Sequence, residues 1–556
     1  MRTLSLAANL VSTFTAITLL GGCLDHPLKD VEYDKIDVPE VDINLDINRD
    51  VDILFVIDNS GSMADEQARL ARNFTSFVSA LDTMDVEYRI GLTTTDVSRT
   101  ACEGTTPEDG DLVLRSCLDA VADGAFANDT TDAAAACTAQ CNLGQGQLAI
   151  QPSLAADGQR LARPWLESIG GQQNLPAGTT MAQALACFGP QGIDGCGYES
   201  PLEAMRLALT KARSDKSQFL RDQALLAVVF VTDEADCSTN PAFEQAFTSE
   251  PTFWNAEQPY RTSGICWRAG VECTGEGPEY EECHAINRSL VGEPAVSDDD
   301  AVLYSTDRYI GFLDGLREKP RDEANALTGA GPRVNDVLVS LIAGVPVGYD
   351  KGTAEIPYAD APAGSEQDIS FGVAPGCINT EDGSNSTAIP PVREREVAEA
   401  FAQGDERNLF SICQDDYTDA LAQIARAIER ELPEPACSTA CIADQDPSSA
   451  TLEPTCEVHE TFRGDTRELS PCTHDGSGWQ TPDGDDVCFF LLTDPDHRTE
   501  STLDDMTVKK GQTTAACNTD DSNIEFGLHR SGPRKPDATY KATCLAAAND
   551  NDCKND

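Results

Sequence analysis

The sequence predicts an α/β protein built on a doubly wound, mostly parallel sheet, with disulfide-rich loop insertions and a small β-rich domain at the C-terminus. Three observations lead to this fold class. Continuous apolar runs, typical of strands that are buried on both faces, recur within residues 51–343. Segments with amphipathic helical periodicity lie between and after these runs. The long intervals between them contain most of the glycine, proline and cysteine of this part of the chain.

The predicted strands are short and strongly apolar. Continuous runs occupy residues 53–57 (ILFVI), 225–231 (LLAVVFV) and 337–343 (VLVSLIA), and residues 88–94 (YRIGLTT) form a fourth candidate. Runs without polar alternation are expected in a parallel sheet that helices cover on both sides. Strands that alternate with helices predict right-handed crossovers between them.

Three segments have the spacing of helices. Apolar residues at positions 70, 74, 77, 78 and 81 fall on one helical face. Ser200-Pro201-Leu202-Glu203 has the pattern of a capping box with proline in the first turn, which predicts a helix from there to about Lys211. Apolar positions within residues 417–432 predict a last amphipathic helix.

The N-terminus has the pattern of a bacterial lipoprotein signal. Arg2 precedes an uncharged apolar stretch, which ends in Leu20-Gly21-Gly22-Cys23. We therefore expect Cys23 to be acylated, with an ordinary secretory signal as the alternative. Leu24 after the cysteine favours the outer membrane of a Gram-negative bacterium. We expect an exported, lipid-anchored protein that contacts the membrane through this anchor.

Composition limits the partners and indicates the redox compartment. The 94 acidic and 40 basic side chains give a formal net charge of −54, which repels polyphosphate and excludes a nucleic-acid partner. The mean hydropathy of −0.32 excludes a bundle of membrane-spanning helices. Of the 21 cysteines, one is assigned to the lipid, so twenty remain for up to ten disulfides in an exported chain. Structural zinc is the competing interpretation, but no paired cysteine spacing supports it.

These patterns divide the chain into four segments. They are a signal at 1–22, an acidic tether at 23–50, an α/β domain at 51–432 and a cysteine-rich β domain at 436–556. Within the α/β domain, disulfide-pinned insertions are predicted at about 97–175, 237–300 and 346–392.

The first apolar run ends in Asp58-Asn59-Ser60-Gly61-Ser62, a D-x-S-x-S motif just before a helix. In an open α/β sheet, ligands bind beyond the carboxyl ends of the strands. One carboxylate and two hydroxyls are hard oxygen ligands suited to Mg²⁺. This segment resembles the von Willebrand factor type A domain, a Rossmann-like fold whose metal-ion-dependent adhesion site uses the same motif. The alternative is that Asp58 and the serines only cap the following helix.

Further ligands are implied by the resemblance. Residues 226–233 (LAVVFVTD) resemble the family's strand ending in T-D, which makes Asp233 the second acidic ligand, usually acting through a water. The family's third ligand is a threonine on a glycine-bearing loop. Gly178-Thr179 resembles that loop but lies 54 positions before Asp233, whereas Glu199 lies 34 positions before it, close to the family's usual interval. We favour Glu199, with Thr179 as the alternative.

The resemblance implies a surface protein that binds a divalent cation and, through it or beside it, a protein or glycan ligand. Mg²⁺ is the expected ion, and a third carboxylate at Glu199 would also suit Ca²⁺ or Mn²⁺ while weakening the capture of acidic partner groups. The runner-up is a structural or assembly component of the cell envelope in which the metal only stabilises the fold. An exported hydrolase ranks third, because no nucleophile or zinc-protease motif is present, and we expect no enzymatic activity.

Overall fold

A computed structural model describes residues 39–547, apart from short internal stretches. The predicted signal at 1–22, the acylation site Cys23 and most of the tether therefore lie outside the described residues. The internal stretches left out are 46–47, 85, 103, 128–130, 155–158, 215–218, 259, 296, 318–332, 381–384, 434, 447, 449–451, 463, 475–477, 509–514, 520, 532–534 and 536–537.

Most of the strands are short. In chain order they are β1 Glu40–Asn44, β2 Asp50–Ile57, β3 Glu87–Thr94, β4 Ser153–Leu154, β5 Arg160–Leu161, β6 Leu166–Ile169, β7 Gln172–Gln173, β8 Leu225–Val231, β9 Val271–Thr274, β10 Glu282–Ala285, β11 Asp336–Ala343, β12 Cys377–Ile378, β13 Thr387–Ala388, β14 Leu409–Ser411, β15 Ala436–Cys437, β16 Cys456–Phe462, β17 Asp465–Glu468, β18 Thr473–His474, β19 Trp479–Gln480, β20 Val487–Leu492, β21 Glu525–Arg530 and β22 Thr539–Leu545.

Within the described residues, the α-helices all lie before residue 432. They are α1 Ala64–Thr83, α2 Cys117–Ala122, α3 Ala134–Thr138, α4 Met181–Phe188, α5 Pro201–Ala212, α6 Gly264–Gly270, α7 Thr306–Leu316, α8 Glu366–Phe371, α9 Val392–Glu399 and α10 Thr418–Glu431. Single 3₁₀ turns occur at Thr100–Cys102, Gln145–Gln147 and Asp298–Asp300, and a longer 3₁₀ segment spans Pro241–Phe247.

The central sheet has seven strands in the order β14-β11-β8-β2-β3-β6-β7. The first five of these run parallel, whereas β6 and β7 are antiparallel additions at one edge. The predicted α/β class with a mostly parallel sheet is thus confirmed, and the four predicted strands correspond to β2, β3, β8 and β11. The sequence analysis placed β6 and β7 inside an insertion, because these short segments carry no continuous apolar run.

Helices cover both faces of the sheet. Successive side chains of a strand point to opposite faces, so Phe55 packs on one side and Leu54 on the other. The Phe55 side is covered by α1 and α10, and the predicted apolar face of α1 is buried there. The Leu54 side is covered by α5, α7 and α9. This two-sided packing holds the carboxyl ends of β2, β3 and β8 next to one another.

Helix α5 begins where the sequence predicts, but not with the predicted capping box. The Ser200 hydroxyl donates to the carbonyl of Cys237 at 3.1 Å, and the Glu203 carboxylate binds Arg206. The first amide groups of the helix are capped from another loop instead. The amide of Leu202 donates to Asp236 Oδ1 at 3.3 Å, and that of Glu203 donates to Ser238 Oγ at 2.9 Å.

Disulfides fasten the insertions and the C-terminal region. The pairs with both partners in the described part of the chain are Cys102–Cys196, Cys117–Cys137, Cys141–Cys187, Cys237–Cys266, Cys273–Cys283, Cys377–Cys413, Cys437–Cys517, Cys456–Cys544 and Cys472–Cys488. So many disulfides indicate that the chain folds in an oxidising, extracytoplasmic compartment. Within the described residues, no helix combines the length and apolarity needed to cross a membrane.

The C-terminal region contains two larger antiparallel sheets with a core of their own. One has the order β15-β21-β20 and the other β1-β22-β16-β17. Strand β1 lies in the segment predicted as a tether, yet it pairs along its whole length with β22, from Glu40 opposite Leu545 to Asn44 opposite Lys541. The N-terminal segment is therefore part of the C-terminal sheet.

Candidate functional site

The D-x-S-x-S loop follows β2 at the carboxyl edge of the central sheet. The backbone amide of Asp58 donates to the carbonyl of Val231, which ties the loop to the end of β8. Asp58 Oδ1 accepts the amide of Ser60 at 2.8 Å, and Oδ2 accepts the hydroxyl of Thr232 at 2.6 Å. The hydroxyls of Ser60 and Ser62 lie 3.2 Å apart. Asp58 and Ser60 are buried, whereas Ser62 is exposed.

Asp233 lies beside this loop because β8 is the direct neighbour of β2 in the sheet. The Ser62 hydroxyl hydrogen-bonds to its carboxylate, and the other oxygen, Oδ1, is buried without a hydrogen-bond partner. Only 7% of Asp233 is exposed. The sequence-predicted residues of both strands therefore meet at one edge.

Of the two candidates for the third ligand position, Glu199 is the one that lies against Asp58. Its side chain is fully buried, one carboxylate oxygen accepts the hydroxyl of Thr95, and Oε1 has no hydrogen-bond partner. Thr179 lies just before α4, and its hydroxyl donates to the carbonyl of Gln147 at 3.2 Å.

The site contains several buried carboxylates that lie close together and repel one another. Burial, followed by repulsion from Asp58 and Glu234, raises the pKa of both Glu199 and Asp233 well above the ordinary range. Burial and the Asp58 charge raise the pKa of Glu234 to about 8, and burial also raises the pKa of Asp58. Each unpaired buried charge is costly unless a cation or a proton neutralises it.

Several carboxylate oxygens around the loop are buried and unpartnered. They are Oε2 of Glu66, Oδ1 of Asp96, Oε1 of Glu199, Oδ1 of Asp233 and Oε2 of Glu234. Among the described residues, no group of three or more Asp, Glu, His or Cys side chains has the geometry to hold a metal ion by itself. A cation here would therefore depend on hydroxyl oxygens such as those of Ser60 and Ser62 as well as on carboxylates. That mixture of hard oxygen donors suits Mg²⁺.

No protein-family model matches the sequence, and no curated protein matches it. Among solved structures, the chain is similar to two crystal structures of the pilus adhesin SpaC from Lactobacillus rhamnosus GG, one of them in an open conformation. The sequence identities are 10% and 9%, the TM-scores are 0.26 and 0.25, and each alignment covers 91% of this chain. The chain spans 40% of the length of the adhesin. The mixed central sheet itself is consistent with a type A-like fold.

The sequence analysis missed residues that shape the site. Gln67 is fully buried: its Nε2 donates to the carbonyls of Asp58 and Gly192 at 2.8 Å each, and its Oε1 accepts two amides of the α4–α5 connection. Gly195 comes so close to Asn59 that a Cβ atom there would lie 2.3 Å from the asparagine side chain. The sequence signal that could have identified Gln67 is the position of a polar residue on the apolar face of α1.

Proposed function

We propose that this chain is a cell-surface type A domain protein that binds a divalent cation at the loop formed by residues 58–62 and uses this region for adhesion or another interaction. The observation that carries the proposal is the set of buried, unpartnered carboxylate oxygens beside two adjacent serine hydroxyls. Such a set is costly without a neutralising charge. A divalent cation supplies that charge and takes the same oxygens as ligands.

Asp58, Ser60 and Ser62 would provide the ligands from the loop, with Asp233 and Glu199 on either side. Mg²⁺ is the first choice, and Ca²⁺ or Mn²⁺ are the alternatives. Two carboxylates balance one divalent charge, so a third leaves the site net negative. The cation would then be held firmly, but it would attract a carboxylate of a partner less strongly than a balanced site does.

The partner would be a protein or a glycan that approaches from the exposed Gly61–Ser62 side of the loop. The chain would be exported and held at the outer membrane by a lipid on Cys23. We propose a binding role and no catalysis. A nucleic-acid partner is excluded by the net charge of −54.

One observation favours the runner-up, an envelope component in which the cation only stabilises the fold. Asp58 and Glu199 are each 0% exposed, so most of the ligand set lies beneath the surface. The two functions differ in whether a partner depends on the ion.

A calorimetric titration of the chain lacking residues 1–23 with Mg²⁺, Ca²⁺ and Mn²⁺ tests cation binding. Asp58→Ala should abolish the binding, whereas Asp299→Asn, which changes an exposed acidic residue elsewhere, should leave it intact. A pull-down from envelope extracts with and without the ion then separates the functions. Capture that needs the ion supports the interaction role, and ion-independent capture supports the structural one. A lack of binding by all three ions would reject the proposal.

A further inference from the structure

A cleft of about 500 Å³ lies at the other end of the central sheet, facing the C-terminal region. Asp50 and Glu87, the first residues of β2 and β3, line one wall. Trp479 and residues of β20 and β21 line the opposite wall. Strand β2 has eight residues, so the cleft is roughly 25 Å from Asp58. Its volume is in the range of pockets that hold small ligands.

An aromatic platform forms part of the second wall. The rings of Trp479 and Phe490 are stacked, with centroids 4.5 Å apart and planes 13° from parallel. Phe490 lies opposite Gly527 in the strand pairing, and a Cβ atom at Gly527 would be 2.0 Å from the phenylalanine ring. Glycine at this position therefore lets the ring lie flat across β21, which in turn positions the half-buried Trp479 at the cleft.

Two polar atoms in the same cleft are buried without partners. They are Oε2 of Glu87 and Nε of Arg530. Glu87 Oε1 accepts the amide of Gly170 at 3.3 Å, and the Arg530 guanidinium lies over the Tyr540 ring at 5.2 Å. No ion pair joins Glu87 to Arg530 in the described structure, although the charge of each shifts the pKa of the other. An acceptor and a donor thus belong to two residues that line the same cleft, and they are not paired to each other.

We propose that this cleft binds a neutral oligosaccharide. A sugar hydroxyl both donates and accepts, so hydroxyls of one ligand can satisfy Glu87 Oε2 and Arg530 Nε together. The apolar C–H face of a pyranose ring packs against the open face of an aromatic ring such as that of the half-buried Trp479. The lining contains five carboxylate side chains against two guanidinium groups, a balance that disfavours phosphate or carboxylate ligands.

The test is a titration of the chain lacking residues 1–23 with maltotriose, cellotriose and triacetylchitotriose, followed by calorimetry and tryptophan fluorescence in EDTA. We expect saturable binding of at least one of these sugars. Trp479→Ala should weaken it at least tenfold, whereas Trp254→Ala, at a tryptophan that packs on Arg261 elsewhere, should not change it. Glu87→Gln should weaken binding by up to about tenfold, because the amide oxygen still accepts a hydrogen bond but the charge that strengthens this bond is lost. An unchanged melting temperature in each variant would show that the fold is kept.

Three results would overturn the proposal: no binding of any of the three sugars, sugar binding that Trp479→Ala leaves intact, or stronger binding of phosphocholine than of the sugars. Asp58→Ala separates this proposal from that of cation binding. The variant should leave sugar binding in EDTA unchanged, because the loop lies at the other end of the sheet. If sugar binding instead requires Mg²⁺ and Asp58, the sugar binds at the loop and not in the cleft.

Discussion

Glu199→Gln is the substitution that separates the cost of the buried carboxylates from their use as cation ligands. Glutamine keeps the size and the contact with Thr95 but removes the charge. Because Glu199 is fully buried, with one oxygen unpartnered and Asp58 beside it, the metal-free chain is destabilised either by the buried charge or by the uptake of a proton that neutralises it. We therefore expect the variant to be more stable than the original chain in EDTA and to gain less from Mg²⁺.

The size of both effects can be estimated. Removing the cost of an unneutralised buried carboxylate, while a polar amide stays in its place, is worth about 1–3 kcal/mol. With an unfolding entropy of about 2.1 cal/mol/K per residue, 1 kcal/mol moves the melting temperature of the α/β domain at 51–432 by roughly 1 °C, so the variant should melt about 1–4 °C higher in EDTA. Mg²⁺ at one hundred times its Kd adds about 2.7 kcal/mol to the original chain, or roughly 3 °C. The variant should lose most of that increment.

Calorimetric melting at pH 7 in EDTA and in a Mg²⁺ series measures both quantities. Thr179→Ala is the matched control, since its hydroxyl contacts the Gln147 carbonyl. If Thr179→Ala abolishes the Mg²⁺ increment and Glu199→Gln keeps it, the third ligand is assigned to the wrong loop. If neither variant nor Asp58→Ala alters the increment, the D-x-S-x-S loop is only a helix cap and the reasoning fails.

Three further predictions concern pH, redox state and the anchor. Neither oxygen of buried Glu394 has a hydrogen-bond partner, and burial, with repulsion from Asp236, raises its pKa from 4.5 to about 8. The folded chain therefore keeps a proton that the unfolded chain has released, so the urea midpoint should fall as pH rises from about 4.5 to 8, and Glu394→Gln should flatten this slope. Thiol titration of the denatured, unreduced chain should find few or no free thiols, and many free thiols would contradict the disulfide assignment. Reduction should lower the melting temperature strongly, because each disulfide typically contributes about 2–4 kcal/mol. Cys23→Ser should release the protein from membranes, and a variant that stays membrane-bound with the same mature N-terminus would refute acylation.

The sequence predicted the parts of the fold whose signal is local. Strand β8 is an unbroken apolar run, β2 contains one over residues 53–57, and β11 is apolar after its first residue except at Ser340, so these strands and their burial could be predicted without a structure. The position of the loop after β2 could also be predicted, because ligands in an open α/β sheet bind beyond the carboxyl ends of the parallel strands. The same rule places Asp233 beside Asp58.

The contacts that the sequence could not predict are made between distant segments. The Thr95 hydroxyl reaches Glu199 across 104 positions, and the Gln67 side chain reaches Gly192 across 125. Capping of α5 by Asp236 and Ser238 replaced a capping box that looked complete in the local sequence. A local pattern shows which groups are available, but the surrounding packing decides which of them pair.

Strand β1 is an acidic segment that forms a strand because it packs on the C-terminal core. Residues 40–44 alternate polar and apolar side chains, but this short pattern lies inside a segment whose overall composition is acidic. Ile43 is 1% exposed in the C-terminal core, and Asp42 on the opposite face pairs with Lys541 at 2.6 Å.

Ile43→Ala should therefore cost about 2–5 kcal/mol, whereas Asp42→Asn, at an exposed ion pair, should leave stability almost unchanged. Hydrogen exchange can follow the effect strand by strand. Amides of β22 and β16 should lose protection in Ile43→Ala, while those of β2 and β8 should keep theirs, because the two regions have separate cores. If β22 stays equally protected after removal of residues 24–45, the segment is a tether after all, and β1 contributes nothing to the sheet that it joins.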